Sequence, residues 1–223
     1  MTALSVVDLH KRFVRHLQGA SERIVLSGAE FELEPGTLTV LRGRSGSGKS
    51  SLLRCIYRTY LPDSGSVLVA DGEERLDLAV ADDQTVRDAR RRLIGMVTQF
   101  LQVTPRVAAL DLVAEEGGDV DEAEALLLSL GLRPELLHAP PATFSGGERQ
   151  LVNMALAIVR PRPLLLLDEA TASLDPERRG RVLDALEAHK RRGTTMLAVF
   201  HDVPDTPGIV DRVIEMRDGR VVV

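Results

Sequence analysis

The residues with the most specific chemical pattern form a glycine-rich loop that fits G-x-x-x-x-G-K-[ST] without a mismatch. An apolar run at 38–41 precedes the loop and helical apolar spacing follows it at 51–57, so we expect it to join a buried strand to a helix. Such a loop turns backbone N–H groups inward, and the helix directs its positive N-terminal end at the same point. The predicted phosphate cradle consists of Gly43, Arg44, Ser45, Gly46, Ser47, Gly48, Lys49, Ser50 and Ser51.

Two side chains of this cradle have separate predicted roles. The Lys49 ammonium is expected to reach the β- and γ-phosphates as a point charge, and the Ser50 hydroxyl is placed to bind Mg²⁺. The alternative, a glycine- and serine-rich surface turn, does not account for a strand, a helix and Gly-Lys-Ser occurring together. The predicted ligand is a Mg-nucleoside triphosphate, although the loop alone does not indicate what its energy drives.

Composition limits the classes of protein to consider. The chain has 223 residues, enough for one compact unit, and a formal charge of −5, which gives no general attraction to nucleic acid. Its apolar runs, such as the one at 164–167, are far shorter than the ~20 residues that span a bilayer, so we expect any membrane role to come through a partner. The N-terminus shows no secretory pattern, and the lone Cys55 cannot form an internal disulfide. Both features favour the cytoplasm.

The rest of the chain alternates between strand-like and helix-like segments. Short β-like runs at 4–13 and 24–33 predict an antiparallel opening sheet, and a turn-rich stretch precedes a small hairpin. Later strand predictions fall at 93–97, 164–167 and 194–200, the last two joined by a helix that implies parallel strands with a right-handed crossover. The predicted helices after the phosphate loop cover 82–92, 107–116, 122–130, 148–159 and 176–192.

Five polar or loop positions follow predicted parallel strands and should meet at one sheet edge, where ligands bind in such sheets. Adjacent carboxylates after an apolar strand are costly to bury unless they meet a cation or water. Asp168 therefore suits Mg²⁺, and Glu169 suits a general base that polarises the attacking water. His201 is positioned to contact the γ-phosphate and order that water. The five positions are Gly43, Gln99, Asp168, Glu169 and His201.

Phe13 is one of seven aromatic residues and precedes the loop that leads into the opening sheet. An aromatic face can stack on adenine without hydrogen bonds, but ordinary packing explains the residue equally well. Both interpretations stay open at this stage.

The segment Phe144-Ser145-Gly146-Gly147-Glu148 resembles the signature sequence of ATP-binding cassette ATPases. With the phosphate loop, Gln99, the carboxylate pair, 173–175 and His201 in the same order, the resemblance covers essentially the whole chain. It implies an α/β P-loop NTPase of the ABC-ATPase fold, with a mixed sheet core, an N-terminal antiparallel β subdomain and an inserted helical subdomain. A single domain, 1–223, would comprise a nucleotide-binding core at 1–81 and 161–223 and a helical signature subdomain at 82–160.

The same resemblance implies MgATP hydrolysis in a head-to-tail dimer of cassettes, either two copies or two related chains. Residues of one signature, Ser145, Gly146, Gly147 and Glu148, would complete the γ-phosphate site of the other protomer. Gln99 would sense Mg²⁺ and the attacking water, and Asp175 would lie at the dimer seam.

Some residues depart from the usual family pattern. Glu148 stands where Gln is commoner, Ala170 where Pro usually follows the carboxylate pair, and Leu151 and Leu156 where Arg is frequent. None of these changes removes a group with an assigned chemical role. They put the hydrolysis rate in doubt and make the surface of the helical subdomain less typical.

Four stretches are more specific and are similar to the PhnL-type cassettes of the carbon–phosphorus lyase system. This resemblance implies a cytoplasmic ATPase that associates with the lyase subunits used in phosphonate utilisation. The rival hypothesis is the ATPase subunit of a membrane transporter or lipoprotein-releasing exporter, bound to a membrane permease. A DNA-associated cassette is disfavoured by the net acidity and the lack of a coiled-coil insertion. The four stretches are 56–65, 75–78, 98–106 and 200–202.

Overall fold

The computed structural model describes residues 2–15, 21–98, 106–200 and 209–222. Within these ranges the chain forms ten β-strands in two sheets and six α-helices. The strands are β1 (Leu4–Arg15), β2 (Ser21–Leu33), β3 (Leu38–Arg42), β4 (Ser64–Asp71), β5 (Glu74–Asp77), β6 (Ile94–Val97), β7 (Leu164–Asp168), β8 (Thr195–Val199), β9 (Arg212–Arg217) and β10 (Arg220–Val222). The helices are α1 (Lys49–Ile56), α2 (Asp83–Arg92), α3 (Ala109–Gly117), α4 (Val120–Ser129), α5 (Gly146–Ile158) and α6 (Pro176–Arg191).

The larger sheet has the strand order β10-β9-β3-β8-β7-β6. Its five strands from β9 to β6 are parallel to their neighbours, and only the edge strand β10 runs antiparallel to β9. Along β7, Leu164 and Leu166 face one hydrophobic cluster whereas Leu165 and Leu167 face another. Because both faces of the sheet are covered, its central strands are continuous apolar runs and not alternating ones.

The smaller sheet is antiparallel, in the order β2-β1-β4-β5, and packs with α1 and α2 against one face of the larger sheet. Helices α3 to α6 cover the opposite face. Each fully buried leucine in these layers contributes about 1.5–3 kcal/mol relative to an exposed one. The two layers thus hold the carboxyl ends of the parallel strands in one fixed arrangement.

The predicted elements correspond closely to these bounds, including the antiparallel opening sheet, the β4 and β5 hairpin, and the parallel β7 and β8 connected by α6. The two C-terminal strands were not predicted. Strand β6 lies within the range 82–160 that was assigned to the helical subdomain, yet it pairs with β7 in the larger sheet. The assigned range, whose bounds are approximate, thus includes one strand of the larger sheet, and the helices on the far face begin at Ala109. The division into subdomains otherwise stays a prediction.

Cys55 is fully buried on α1, where burial raises the pKa of its thiol to about 12. The thiol is therefore protonated at neutral pH and packs as a small apolar side chain, as predicted. Among the helices of the described ranges, none has the length and apolar character needed to cross a bilayer.

Candidate functional site

The phosphate loop joins β3 to α1, and two of its glycines are required by close backbone approaches. Gly43 has φ 154°, and a Cβ there would lie 2.3 Å from the Met216 carbonyl oxygen. Gly48 has φ 108°, and a Cβ there would lie 2.4 Å from the Val25 carbonyl oxygen. Gly48 also caps α1 without a side-chain hydrogen bond, and the first turn of the helix carries no acidic residue. The start of α1 is therefore suited to an anion.

The charged and hydroxyl groups of the loop are already held in place. Lys49 Nζ donates to the carbonyl oxygens of Gly43 at 2.7 Å and Arg44 at 3.1 Å. Ser50 Oγ donates to Asp168 Oδ1 at 2.8 Å, and Asp168 is only 2% exposed at the end of β7. The hydroxyl and the carboxylate predicted to serve one Mg²⁺ are thus in direct contact, although they lie 118 positions apart in the chain.

Glu169 has an unusual backbone conformation directly after β7. Its φ is +54°, in the left-handed region that a residue with a side chain rarely adopts. The strained turn is held by hydrogen bonds from Glu169 N–H to the Val199 carbonyl at 2.9 Å and from Ala172 N–H to the Glu169 carbonyl at 3.2 Å. Strain of this kind costs of order 1–3 kcal/mol and concentrates at functional sites. It places Glu169 at the same opening as the phosphate loop.

These residues surround a cleft of about 870 Å³, within the size range of small-molecule sites. Ten of the residues predicted for the site line it, together with seven that were not predicted for it: Arg23, Val25, Arg42, Tyr60, Val199, Phe200 and Glu215. The ten are Phe13, Gly43, Arg44, Ser45, Gly46, Gly48, Lys49, Ser50, Ser51 and Glu169.

Ser47 differs from the other residues of the loop. Its side chain is buried, and its hydroxyl has no hydrogen-bond partner among the described residues. Its backbone N–H donates to the Arg44 carbonyl, and its carbonyl accepts from Gly219 N–H at 3.0 Å. The unpredicted turn between β9 and β10 therefore supports the loop from behind, and a direct contact between the Ser47 side chain and a phosphate stays a prediction.

The signature segment does not line the cleft of its own chain. Ser145 caps α5 through a capping box: Glu148 Oε2 accepts from the Ser145 N–H at 2.9 Å and from its hydroxyl at 2.8 Å. These bonds lower the pKa of Glu148, and Arg133, 3.2 Å from its other oxygen, has the same effect. Glu148, which is atypical for the family, thus has a structural role, since it accepts a backbone hydrogen bond at the N-terminus of α5.

Gly147 of the signature lies against the segment that precedes Asp175. A Cβ at Gly147 would lie 2.9 Å from the Ser173 carbonyl oxygen, whereas Gly146 has open space beside it. Asp175 caps α6 by accepting from Arg178 N–H at 2.9 Å. A contact of Asp175 with a second protomer stays a prediction.

The remaining predicted site residues lie outside the described ranges. They are Gln99 and His201. Phe100 and Leu101, two apolar residues after Gln99 that we interpret as anchors for a partner or as packing residues of the helical subdomain, also lie outside these ranges.

Two polar residues of α5 were missed by the sequence analysis. Asn153 Nδ2 donates to the Thr98 carbonyl at 2.6 Å, and Gln150 Nε2 donates to the Ala170 carbonyl at 3.1 Å. Both side chains are buried, at 6% and 4% exposure. They connect the signature helix to the residues that follow β6 and Glu169. A polar position inside an otherwise apolar helix face is the only signal in the sequence that could have indicated this role.

We expect Asn153→Leu to destabilise the fold by about 1–3 kcal/mol, because the half-buried Thr98 carbonyl loses its shortest hydrogen bond from α5. Urea denaturation measures the change. The matched control is Gln84→Leu, which removes an exposed amide on α2 and should change stability by less than about 0.5 kcal/mol. Equal stability of the two variants would show that the α5 connection contributes nothing.

Comparison with known proteins gives a consistent result. The family model described as ABC transporter matches residues 26–172. A probable amino-acid ABC transporter ATP-binding protein of Haemophilus influenzae is 33% identical, over 100% of this chain and 87% of that protein. The phosphonates import ATP-binding protein PhnC of Bordetella parapertussis is 35% identical, over 99% and 90%. The lipoprotein-releasing system ATP-binding protein LolD of Pseudomonas fluorescens is 36% identical, over 98% and 96%.

Solved structures show the same fold. The ATP-binding cassette MJ0796, solved as a dimer in a post-hydrolysis state bound to ADP and Pi, superposes with a TM-score of 0.87. The alignment covers 99% of this chain and 97% of that one at 24% identity. At this identity the likeness establishes the architecture alone.

Proposed function

Because this chain belongs to the ABC transporter family of ATP-binding cassettes and is an ATP hydrolase that binds ATP with Mg²⁺, we propose that it acts as the PhnL-like ATPase of the carbon–phosphorus lyase machinery. We also propose that two cassettes form its hydrolytic sites head to tail. The observation that supports the catalytic part of this proposal is the hydrogen bond from Ser50 to Asp168, which lies beside Glu169 at one sheet edge.

The residues of the cleft divide the chemistry among them. Ser50 and Asp168 would hold Mg²⁺, which when bound neutralises charge on the phosphate oxygens. Lys49 Nζ now donates to two loop carbonyls, and a phosphate oxygen would be an additional, charged acceptor. Glu169 accepts the proton of the attacking water as general base. Gln99 and His201 keep the roles predicted from the sequence, at the γ-phosphate and the water.

The position of the signature supports the proposed head-to-tail dimer. Ser145 caps α5 and Gly147 lies in its first turn, and neither lines the cleft that contains Lys49 and Glu169 of the same chain. A second protomer placed head to tail would bring its signature opposite this cleft, so that the α5 N–H groups face the γ-phosphate. The head-to-tail arrangement accounts for a signature that lies outside the nucleotide cleft of its own chain.

The phosphonate assignment rests on the four stretches that resemble PhnL-type cassettes. Two of them, 98–106 and 200–202, directly follow β6 and β8, so they begin at the same sheet edge as the carboxylate pair. The Thr98 carbonyl is also held by α5. A partner bound at the loop after Thr98 would therefore be connected to the nucleotide site on one side and to the signature helix on the other.

A specific observation favours the second candidate, a transporter or lipoprotein-export ATPase. The relatives described above are named as ATP-binding proteins of amino-acid transporter, phosphonates import and lipoprotein-releasing systems, and they align over nearly their whole length. Under this alternative the same loop would meet a membrane permease. In both cases the chain would work in the cytoplasm and reach the membrane only through a partner.

A double substitution in the partner-facing loop separates the two candidates. Phe100→Asp combined with Leu101→Asp is expected to leave ATP binding intact, to abolish co-purification with soluble phosphonate-lyase subunits, and to stop growth on a phosphonate as sole phosphorus source. The physical reason is that two carboxylates replace apolar anchors, and a charge is costly to bury in an interface. Affinity purification from separated membrane and soluble fractions provides the measurement.

The matched control is Val80→Asp, which places a carboxylate at a side chain that is 80% exposed outside this loop and should preserve both co-purification and growth. Normal growth of a deletion strain on phosphonate, together with fractionation of the native protein with a permease, would replace the lyase assignment by the transporter one.

A further inference from the structure

Two aromatic rings from different parts of the chain meet in the nucleotide cleft. Phe13 lies on β1, and Tyr60 lies in the turn after α1. Their ring centroids are 5.1 Å apart with an interplanar angle of 79°, an edge-to-face arrangement. Both rings line the cleft that contains the phosphate loop. Aromatic pairs in this geometry are favourable beyond the area they bury.

The Tyr60 ring is fixed by the helix that begins at the phosphate loop. Arg54 Nη1 donates to the Tyr60 hydroxyl at 2.9 Å, and Tyr60 N–H donates to the Arg54 carbonyl at 3.1 Å. The Arg54 guanidinium lies 5.6 Å from the centre of the ring. Tyr60 therefore connects α1, whose N-terminus faces the phosphates, to the Phe13 ring.

Charged groups hold the Phe13 strand to the same turn. Lys11 Nζ lies 5.4 Å from the Phe13 ring centre and donates to Asp63 Oδ1 at 3.0 Å. Asp63 also accepts from the Arg12 N–H at 2.7 Å. The Phe13 ring is thus oriented by contacts within the protein before a ligand arrives, which reduces the entropy lost on binding.

We propose that Tyr60 is a positioning residue for the nucleobase: it orients the Phe13 ring so that the purine of ATP stacks on it while the phosphates occupy the loop. The proposal rests on ATP binding and not on the phosphonate assignment or on turnover. The alternative is a purely structural role, in which Tyr60 only packs the turn after α1. The two roles differ in whether Tyr60 contributes to binding of the base or only to the structure of the site as a whole.

Binding of ATP and of inorganic tripolyphosphate, each with Mg²⁺, distinguishes the alternatives because tripolyphosphate has no base. For the full chain, Tyr60→Leu should weaken ATP binding by about 3- to 10-fold, the range expected for loss of an aromatic pair. Tripolyphosphate binding should stay unchanged, which also reports an intact phosphate loop. Tyr60→Phe, which keeps the ring and loses only the hydroxyl bond, should bind ATP within about twofold of the parent chain.

A double-mutant cycle tests whether Tyr60 acts through Phe13. Phe13→Leu should weaken ATP binding, and adding Tyr60→Leu to it should cause little further loss. The matched control is Tyr57→Leu, which removes the other tyrosine of the chain, stacked under Arg90 at 4.5 Å and outside the cleft. It should leave the ratio of ATP to tripolyphosphate affinity unchanged.

Three results would overturn the proposal. They are unchanged ATP affinity in Tyr60→Leu, a parallel loss of ATP and tripolyphosphate binding, and an undiminished effect of Tyr60→Leu in the Phe13→Leu background. Failure of ATP turnover or of lyase association affects none of these binding measurements, so the two sets of claims are tested separately.

Discussion

Glu169→Gln is expected to slow ATP turnover by about two to four orders of magnitude, the usual contribution of a general base. The amide has the same shape as the carboxylate, so the strained turn at φ +54° and its hydrogen bond to Val199 should persist. ATP binding should therefore be retained, and the variant should accumulate as an ATP-bound dimer. Steady-state phosphate release measures turnover, and light scattering with and without ATP measures the dimer.

The control for this experiment removes a glutamate charge elsewhere. Glu187→Gln alters a residue on α6 that pairs with Arg191 at 3.4 Å on the surface, and its turnover should equal that of the parent chain. A normal rate in Glu169→Gln would remove Glu169 from the mechanism. A loss of ATP affinity that matches the loss of rate would instead indicate a binding role.

Lys49→Ala and Ser145→Arg should each abolish hydrolysis, but for different reasons. Lys49→Ala removes the ammonium from the cleft and should weaken ATP binding by the single chain. Ser145 does not line that cleft, so Ser145→Arg should leave binding by the single chain nearly intact and block the dimer contact. Equilibrium binding at low protein concentration, combined with ATPase assays at high concentration, separates the two effects.

Mixing the two inactive variants tests the head-to-tail arrangement directly. A mixed dimer carries both lesions in one composite site and retains one intact site, so partial recovery of ATPase activity is expected. Ser145→Ala is the control for the loss of the α5 cap, which costs about 1 kcal/mol, because it removes the hydroxyl without adding bulk at the interface. Loss of ATP binding by single-chain Ser145→Arg would contradict the arrangement, whereas an inactive mixture would show that one intact site does not suffice for hydrolysis.

The phosphate cradle and the carboxylate pair were predictable because each is a contiguous segment. The turn at Gly43 and the start of α1 at Lys49 depend on local backbone geometry, which the residue types of the segment indicate directly. Helix bounds were predictable for the same reason, since capping residues such as Ser145 and Asp175 act within one turn. Strand β7 was recognisable because burial on both faces makes it apolar throughout.

What the sequence alone determined is therefore the identity of the nucleotide-binding machinery and the order of its elements. The tertiary structure decided which distant groups meet: Ser50 with Asp168, Asn153 with Thr98, and Tyr60 with Phe13. It also decided that β9 and β10 support the phosphate loop, and that β6 belongs to the larger sheet. These contacts depend on strand order and on the packing of two layers against one sheet. Residue periodicity indicates the secondary structure of its own segment but not which other segments lie beside it.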